Sequence, residues 1–199
     1  KQWERCIALS ADEEWLMILG DDDVLQETVV ATWYKMYKTF ENKTNVVRFA
    51  TKIINENSGI ISKSYEHPEY ETAGNSWYRK FKGNTRSSLS EHVFSRASYL
   101  TYGFIDYPLA WHSDDKAWMD FSNGKIIYTI NESNVFVRIS DNSISGRNDN
   151  EYLKKIATIH FFENSIVTNL NLFSKQQRLE LLYGYELAIR RVRKISRKE

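Results

Sequence analysis

The last 25 residues of the chain, 175–199, place apolar and basic side chains on opposite sides of one predicted helix. At about 100° per residue, the apolar side chains fall in one arc, and the basic ones lie across from it. Ser174 and Gln177 have the spacing of a capping box, which predicts the start of this helix. The arc consists of Leu181, Leu182, Tyr185, Ala188, Ile189, Val192 and Ile195. Because this arc needs a core to pack against, the helix is expected to dock on the rest of the chain.

The same segment is strongly basic, although the whole chain has a net charge of only +1. It carries eight cations and three carboxylates, a net charge of +5, so the other 174 residues carry −4. Six of the cations lie near its end: Arg190, Arg191, Arg193, Lys194, Arg197 and Lys198. Such an array predicts binding to phosphates, most of all those of RNA or DNA. The alternatives are a solvated helix face and neutralisation by the first 30 residues, whose net charge is −6.

A second basic segment interleaves aromatic and cationic side chains. It contains Trp77, Tyr78, Arg79, Lys80 and Lys82. Rings that stack on unpaired bases beside cations that hold the backbone are typical of single-strand binding. The alternative is an ordinary edge element with its rings inward and its cations in water. If the two basic segments share a face, the sequence predicts a nucleic-acid interface.

A catalytic alternative rests on the stretch from Asp106 to Asp120. His112, Asp114, Asp115 and Asp120 lie close together in it, and such groups can hold a divalent metal for phosphodiester hydrolysis. Aspartates in such positions also serve as turn and cap residues. No zinc, phosphate-loop or dinucleotide motif is present, so we expect no resident metal or cofactor.

Arg86 and His92 form a second catalytic candidate, because an arginine can steady a phosphate while a histidine transfers protons. Both candidates predict a nuclease. A third possibility is a structural or adaptor protein that acts through protein–protein contacts. Since the basic segments are the more extensive features, the sequence favours a binding module over an enzyme.

The hydrophobic period predicts a helical N-terminal third. Helices are expected from Ser10 to Leu19, from Asp21 to Phe40, and from Thr44 or Asn45 to Ile54. A possible strand follows at 60–65. The capping-box spacing of Ser88 and Glu91 then predicts a helix from Leu89 to Phe104.

The period next changes from 3.6 to 2, which predicts a three-stranded antiparallel meander. Its strands are expected at Ala117–Phe121, Lys125–Ile130 and Asn134–Ile139, with turns at Asn123-Gly124 and at 131–133. A helix through Tyr152 and His160 and the long C-terminal helix complete an α+β fold.

Length and composition predict a single domain over residues 1–199, which is compatible with a piece of a longer chain because Lys1 is not a methionine. No apolar run approaches the length of a membrane span. A lone cysteine, Cys6, and the lack of a signal peptide favour an intracellular location, cytoplasmic or nuclear.

Overall fold

The fold is built around a six-stranded mixed sheet in the order β1-β5-β3-β6-β2, and β4 lies beside the first half of β6. The computed structural model describes residues 2–55, 58–140, 143, 144 and 146–196. Residues 194–196 are described by their backbone alone. The strands are β1 (Trp15–Met17), β2 (Val24–Leu25), β3 (Val46–Asn55), β4 (Tyr70–Thr72), β5 (His92–Ser95) and β6 (Ile126–Ile139). β3 and β6 are parallel, and the other described pairs are antiparallel.

Seven α-helices are distributed along the described residues. They are α1 (Gln2–Ile7), α2 (Val29–Phe40), α3 (Ala73–Phe81), α4 (Arg96–Tyr102), α5 (Ser113–Ser122), α6 (Glu151–Phe161) and α7 (Lys175–Ser196). A 3-10 turn at Pro108–Ala110 precedes α5, and a π turn (Phe162–Ile166) followed by a 3-10 turn (Val167–Leu172) joins α6 to α7. None of the helices in the described part of the chain is long and apolar enough to cross a bilayer.

Hydrophobic side chains cover both faces of the sheet. Val47 on β3 and Val93 on β5 belong to a cluster with α2, whose Val29 and Phe40 are buried. Val46 and Phe94, one position away, belong to a second cluster with side chains from α3, α5, α6 and α7. This alternation follows from the two-residue period of a strand. β3 and β5 are therefore buried on both faces of the sheet.

The predicted helical N-terminal third is wrong. β1 and β2 lie within the segments predicted as the first two helices, and α2 begins only at Val29. The run from Val46 to Ile54 forms β3, where its first six residues are buried. A short run that is apolar on every side does not distinguish a buried strand from a buried helix by period alone. Its β-branched residues favour the strand.

The predicted three-stranded meander is also wrong. Ala117–Phe121 lies within α5, and the two runs at 125–130 and 134–139 belong to one continuous strand, β6. The predicted turn at 131–133 is an irregularity in that strand, because Phe49 pairs with Ile130 while the next residue, Ala50, pairs with Asn134. The buried Ser133 hydroxyl lies 2.8 Å and 2.9 Å from the hydroxyls of Thr28 and Thr32, which ties this irregularity to α2.

The predicted turn at Asn123-Gly124 and the predicted cap of Ser88 and Glu91 both form, but they join other elements than those predicted. Asn123 and Gly124 both have positive φ, of 46° and 76°, but their turn joins α5 to β6 instead of two strands. Ser88 donates to the Glu91 carboxylate from its backbone N–H and from its hydroxyl, both at 2.5 Å. That pair closes a turn before β5, and the helix that was predicted to begin at Leu89 starts at Arg96.

A buried polar network attaches α3 to the sheet. Arg48 on β3 is fully buried, and it donates to Glu71 at 2.5 Å, to Thr129 at 3.0 Å and to Ser76. Arg79 on α3 donates to the other oxygen of Glu71 at 2.7 Å. A buried charge is tolerated when it is paired and hydrogen-bonded, as it is here. This attachment sets the position of α3, and with it the position of Lys80.

Candidate active site

A cavity of about 890 Å³ opens between the N-terminal helix, the turn that follows β1, the segment before α5 and the end of β6. Its walls bring together segments that are far apart in the sequence. The charged residues that line it are Glu4, Asp21, Asp22, Lys80, Arg86, Asp106, Asp114, Asp115 and Arg138, together with His112. Half-buried rings of Trp3, Phe104 and Trp111 complete its apolar wall. A large concave site with a few converging polar groups is typical of a ligand-binding pocket.

Two neighbouring aspartates in the first turn of α5 have different surroundings. Asp115 is buried and accepts hydrogen bonds from Lys80 Nζ at 2.7 Å and 2.9 Å. The Nδ1 atom of His112 lies 2.7 Å from Oδ2 of Asp115, and it donates because a carboxylate accepts. Asp114 is half-buried and lines the cavity. The Asp115 carboxylate is therefore occupied by hydrogen bonds from Lys80 and His112, while Asp114 lies at the cavity.

These surroundings separate the ionisation of the two carboxyls. Burial, together with the charge of Asp115, raises the pKa of Asp114 to about 6. Burial alone would raise the pKa of Asp115 as well, but Lys80 and His112 overcome it and hold that pKa below its ordinary value. A pair of acids whose pKa values are pushed apart is typical of an acid–base catalytic site. Asp114 is the member suited to exchange a proton near neutral pH.

The segment that leads into α5 is strained. Leu109, Ala110 and His112 have left-handed backbone conformations, with φ of 60°, 54° and 68°. Such conformations cost on the order of 1–3 kcal/mol each in a residue other than glycine, and they cluster at functional sites. Packing holds the segment in place, since the His112 ring stacks on Phe161 at 4.7 Å and Lys154 Nζ lies 5.2 Å from the centre of the Trp111 ring. This conformation places Trp111 and His112 on the cavity wall.

The turn from Gly20 to Asp23 forms another part of the wall. Gly20 N–H donates to Ser90 Oγ at 2.9 Å, and Asp23 Oδ1 accepts from the backbone N–H of Arg138 at 2.9 Å. Arg138 Nε also donates to the backbone oxygen of Asp22 at 3.2 Å. These contacts fix the backbone of the turn. The side chains of Asp21 and Asp22 are exposed and line the cavity.

The other predicted catalytic residues are placed differently. Asp120 lies one and a half turns further along α5 and pairs with Lys116 at 2.5 Å, away from the cavity lining. In the part of the chain that the structure describes, no three His, Cys, Asp or Glu side chains are grouped to hold a metal ion. Arg86 lines the cavity, whereas His92 is buried against Trp118, with their ring centres 4.3 Å apart. Burial and the charge of Arg48 hold the pKa of His92 well below its ordinary value.

The aromatic-basic segment forms the second half of α3 and its end, and its cations face carboxylates of the protein. Trp77 is buried and stacks on Phe81. Glu180 on α7 accepts from the Tyr78 hydroxyl and from Lys82 Nζ, both at 2.7 Å. Arg79 pairs with Glu71 and Lys80 pairs with Asp115. This segment joins α3 to α5 and α7, and its binding to nucleic acid stays a prediction.

The basic end of α7 is exposed as far as its side chains are described. Arg190 pairs with Glu186 on the same helix at 2.5 Å, and Arg190, Arg191 and Arg193 are exposed. The side chain of Lys194 and the whole of Arg197 and Lys198 lie outside the described residues. In the N-terminal acidic region, Glu13 pairs with Arg96, and Asp23 accepts from Arg138. Glu13 thus binds a cation on α4 and Asp23 binds a backbone N–H on β6, and the nucleic-acid interface on α7 stays a prediction.

The sequence interpretation missed part of the cavity. Asp21 and Asp22 were assigned to a helix start, although three aspartates directly after Gly20 also indicate a polar turn. Lys80 was assigned to a nucleic-acid surface, and no local pattern links it to Asp115. Arg138 and Trp3 carry no signal that is visible without the fold.

Comparison with known proteins adds no information on function, since the chain matches no protein-family model and no curated protein sequence.

Proposed function

We propose that the protein is a carbohydrate-active enzyme that transfers a glycosyl group to water or to another hydroxyl, with Asp114 as its general base. The observation that carries the proposal is the unequal pair of Asp114 and Asp115 at the edge of a large cavity. In this reaction the acceptor oxygen forms a new bond to the sugar carbon, and its proton passes to Asp114. The bond between the sugar carbon and the leaving group breaks, and its electron pair goes to the leaving group.

The environment of Asp114 suits this role. A general base works best when its pKa lies near or just below the working pH, and burial places the pKa of Asp114 at about 6. Its neighbour Asp115 is held in place by hydrogen bonds from Lys80 and His112. A preorganised polar environment of this kind needs little rearrangement during the reaction.

The charge of the cavity favours a polyhydroxylated substrate over a nucleic-acid strand. Six carboxylates line it, against only three lysines and arginines. A cleft with an excess of negative charge repels the phosphates of a nucleic acid. Sugar hydroxyls can donate to those carboxylates, and the rings of Trp3, Phe104 and Trp111 offer flat apolar surfaces to a sugar ring. Carboxyl side chains with tuned pKa values are also the usual catalysts of glycosyl chemistry.

The proposal is tested with a panel of p-nitrophenyl glycosides, with binding followed by saturation-transfer NMR and turnover followed by release of p-nitrophenol. Asp114→Asn should lower kcat by about 100-fold or more while binding is retained, because only proton transfer is lost. Asp120→Asn is the matched control, since it changes an aspartate on the same helix away from the cavity. Its kcat should equal that of the unmodified protein.

The same protein is offered bis(p-nitrophenyl) phosphate as a model phosphodiester. Hydrolysis of that compound without any binding of glycosides would replace the carbohydrate proposal with the nuclease alternative. Equal glycoside turnover by Asp114→Asn and the unmodified protein would remove Asp114 as the base.

A further inference from the structure

Arg86 is a cavity-lining cation whose contacts with the protein leave part of its guanidinium without a partner among the described residues. Lys80 forms a buried ion pair with Asp115, and Arg138 holds the Gly20–Asp23 turn. Arg86 donates to Ser88 Oγ at 2.8 Å, which is its one hydrogen bond within the described residues. A guanidinium carries five N–H donors: Nη1 is buried, and the Nε N–H and the second N–H of Nη2 have no partner among the described residues. Its side chain is 18% exposed, and it lines the cavity beside Ser87 and Ser88.

A buried carboxylate, that of Glu91, lies next to the guanidinium of Arg86. Glu91 is fully buried, and its Oε1 lies 3.9 Å from Nη1 of Arg86. Glu91 also accepts two hydrogen bonds from Ser88, which in turn accepts from Arg86. Since these residues form a closed set of contacts, the guanidinium has a fixed position on the cavity wall. A preorganised arginine loses less side-chain entropy when it binds a ligand.

We propose that Arg86, with the hydroxyl group of Ser87, forms a subsite for a carboxylate, so that the enzyme's substrate is an acidic sugar. This inference rests on the proposed carbohydrate-active function and names the class of its substrate. The planar fork of a guanidinium matches the two oxygens of a carboxylate. The Ser87 hydroxyl lines the same wall and can donate to such an anion, whereas the Ser88 hydroxyl donates to Glu91.

The local charge favours a carboxylate over a phosphate. Glu91 offsets much of the charge of Arg86, and the rest of the cavity is rich in carboxylates. A singly charged anion meets less repulsion there than a doubly charged phosphate monoester. Without a dedicated subsite, this acidic cavity would bind an anionic sugar more weakly than a neutral one. A preference for the anionic sugar is therefore diagnostic of the subsite.

The test measures the Kd of three probes by isothermal titration calorimetry: methyl β-D-glucopyranoside, D-glucuronate and D-glucose 6-phosphate. The unmodified protein should bind D-glucuronate about tenfold more tightly than the neutral glucoside, a ratio typical of one well-placed charged hydrogen bond. D-glucose 6-phosphate should bind no more tightly than the neutral glucoside. Arg86→Gln should remove the preference for D-glucuronate, and Arg86→Lys should retain only part of it because the planar fork is lost.

Arg147→Gln is the matched control, because Arg147 pairs with Asp149 away from the cavity lining. It should leave all three Kd values unchanged. Equal binding of D-glucuronate and the neutral glucoside by the unmodified protein would overturn the subsite while leaving the carbohydrate function in place. Tighter binding of the phosphate sugar would also overturn it, since a phosphate subsite would then be present. If no sugar binds, the proposed function fails and the subsite with it.

Discussion

Lys80 and Asp115 form an ion pair of 2.7 Å that joins α3 to the first turn of α5 on the wall of the cavity. The Asp115 side chain is 3% exposed, so Lys80 is essential to the charge balance of the site. Because α3 is attached to the sheet through Arg48, Glu71 and Arg79, the position of this lysine depends on a second buried network. The candidate catalytic pair is thus supported from the centre of the fold.

Removal of Lys80 should destabilise the protein. In Lys80→Met, the charge of Asp115 loses its cation, and breaking a buried pair in this way typically costs about 3–5 kcal/mol. The free energy of unfolding in urea measures this loss. Lys38→Met is the control, since it removes an exposed pair with Glu41, and its urea midpoint should be unchanged. Equal midpoints for Lys80→Met and the unmodified protein would show that the pair contributes nothing to folding.

Glycosyl transfer should lose rate as the pH falls below about 6. Protonation of Asp114, whose pKa is raised to about 6 by burial and by Asp115, removes the base. Below that pH, kcat/KM should decline about tenfold per pH unit, while at higher pH Asp114 stays deprotonated. A ¹³C NMR titration of labelled aspartate side chains locates the same transition, and Asp114→Asn identifies its signal. A transition near pH 4 for that signal would contradict the role proposed for the cavity.

Mild acid should weaken the fold through His67. This side chain is buried, accepts a hydrogen bond from Arg79 at 2.8 Å, and lies near Arg48. Burial and these arginines lower its pKa to about 2, so the unfolded chain binds a proton near pH 6.5 that the folded chain does not. Stability is therefore complete above pH 6.5 and falls below it, by up to about 1.4 kcal/mol per pH unit for this group.

Urea unfolding at pH 7.5, 6.5 and 5.5 measures this dependence. His67→Gln should show a shallower decline, because glutamine does not titrate and its oxygen can accept from Arg79. His160→Gln, at an exposed position, should keep the slope of the unmodified protein. Identical slopes for all three proteins would show that His67 is not the titrating group.

Docking of α7 depends on Leu181. This side chain is fully buried in the cluster that also contains Trp77, Phe162 and Phe173. Leu181→Ala should cost about 2–5 kcal/mol, the usual range for a buried leucine. Leu179, on the same helix, is 63% exposed, and Leu179→Ala should have little effect on the urea midpoint. If both substitutions were equally mild, α7 would not be part of the cooperative core.

Local features were predicted well where neighbours in the sequence determine them. Ser174 and Gln177 form the predicted reciprocal cap, with hydrogen bonds of 2.8 Å and 3.3 Å at the start of α7. The predicted helix through Tyr152 and His160 corresponds to α6. These features depend on contacts three or four residues apart, which a sequence pattern displays directly.

The candidate site was predicted only in part. His112, Asp114 and Asp115 were identified as a group because they are neighbours in the sequence. Asp21, Asp22 and Arg138 were not, because only the pairing of β2 with β6 brings their segments together. The sequence predicts Lys80 as part of a nucleic-acid surface, and its partner on α5 becomes visible only when the helices pack.

By itself, the sequence determined local features such as the cap at Ser174 and the turn at Asn123-Gly124, and the amphipathic character of the last helix, because these arise from local spacing. The tertiary structure decided that the run from Val46 to Ile54 is a strand, since burial on both faces of the sheet outweighs an ambiguous period. It also decided the unequal ionisation of Asp114 and Asp115. That difference depends on the distance of Lys80 and His112 from each carboxyl and on the exclusion of water, and both are properties of the folded chain.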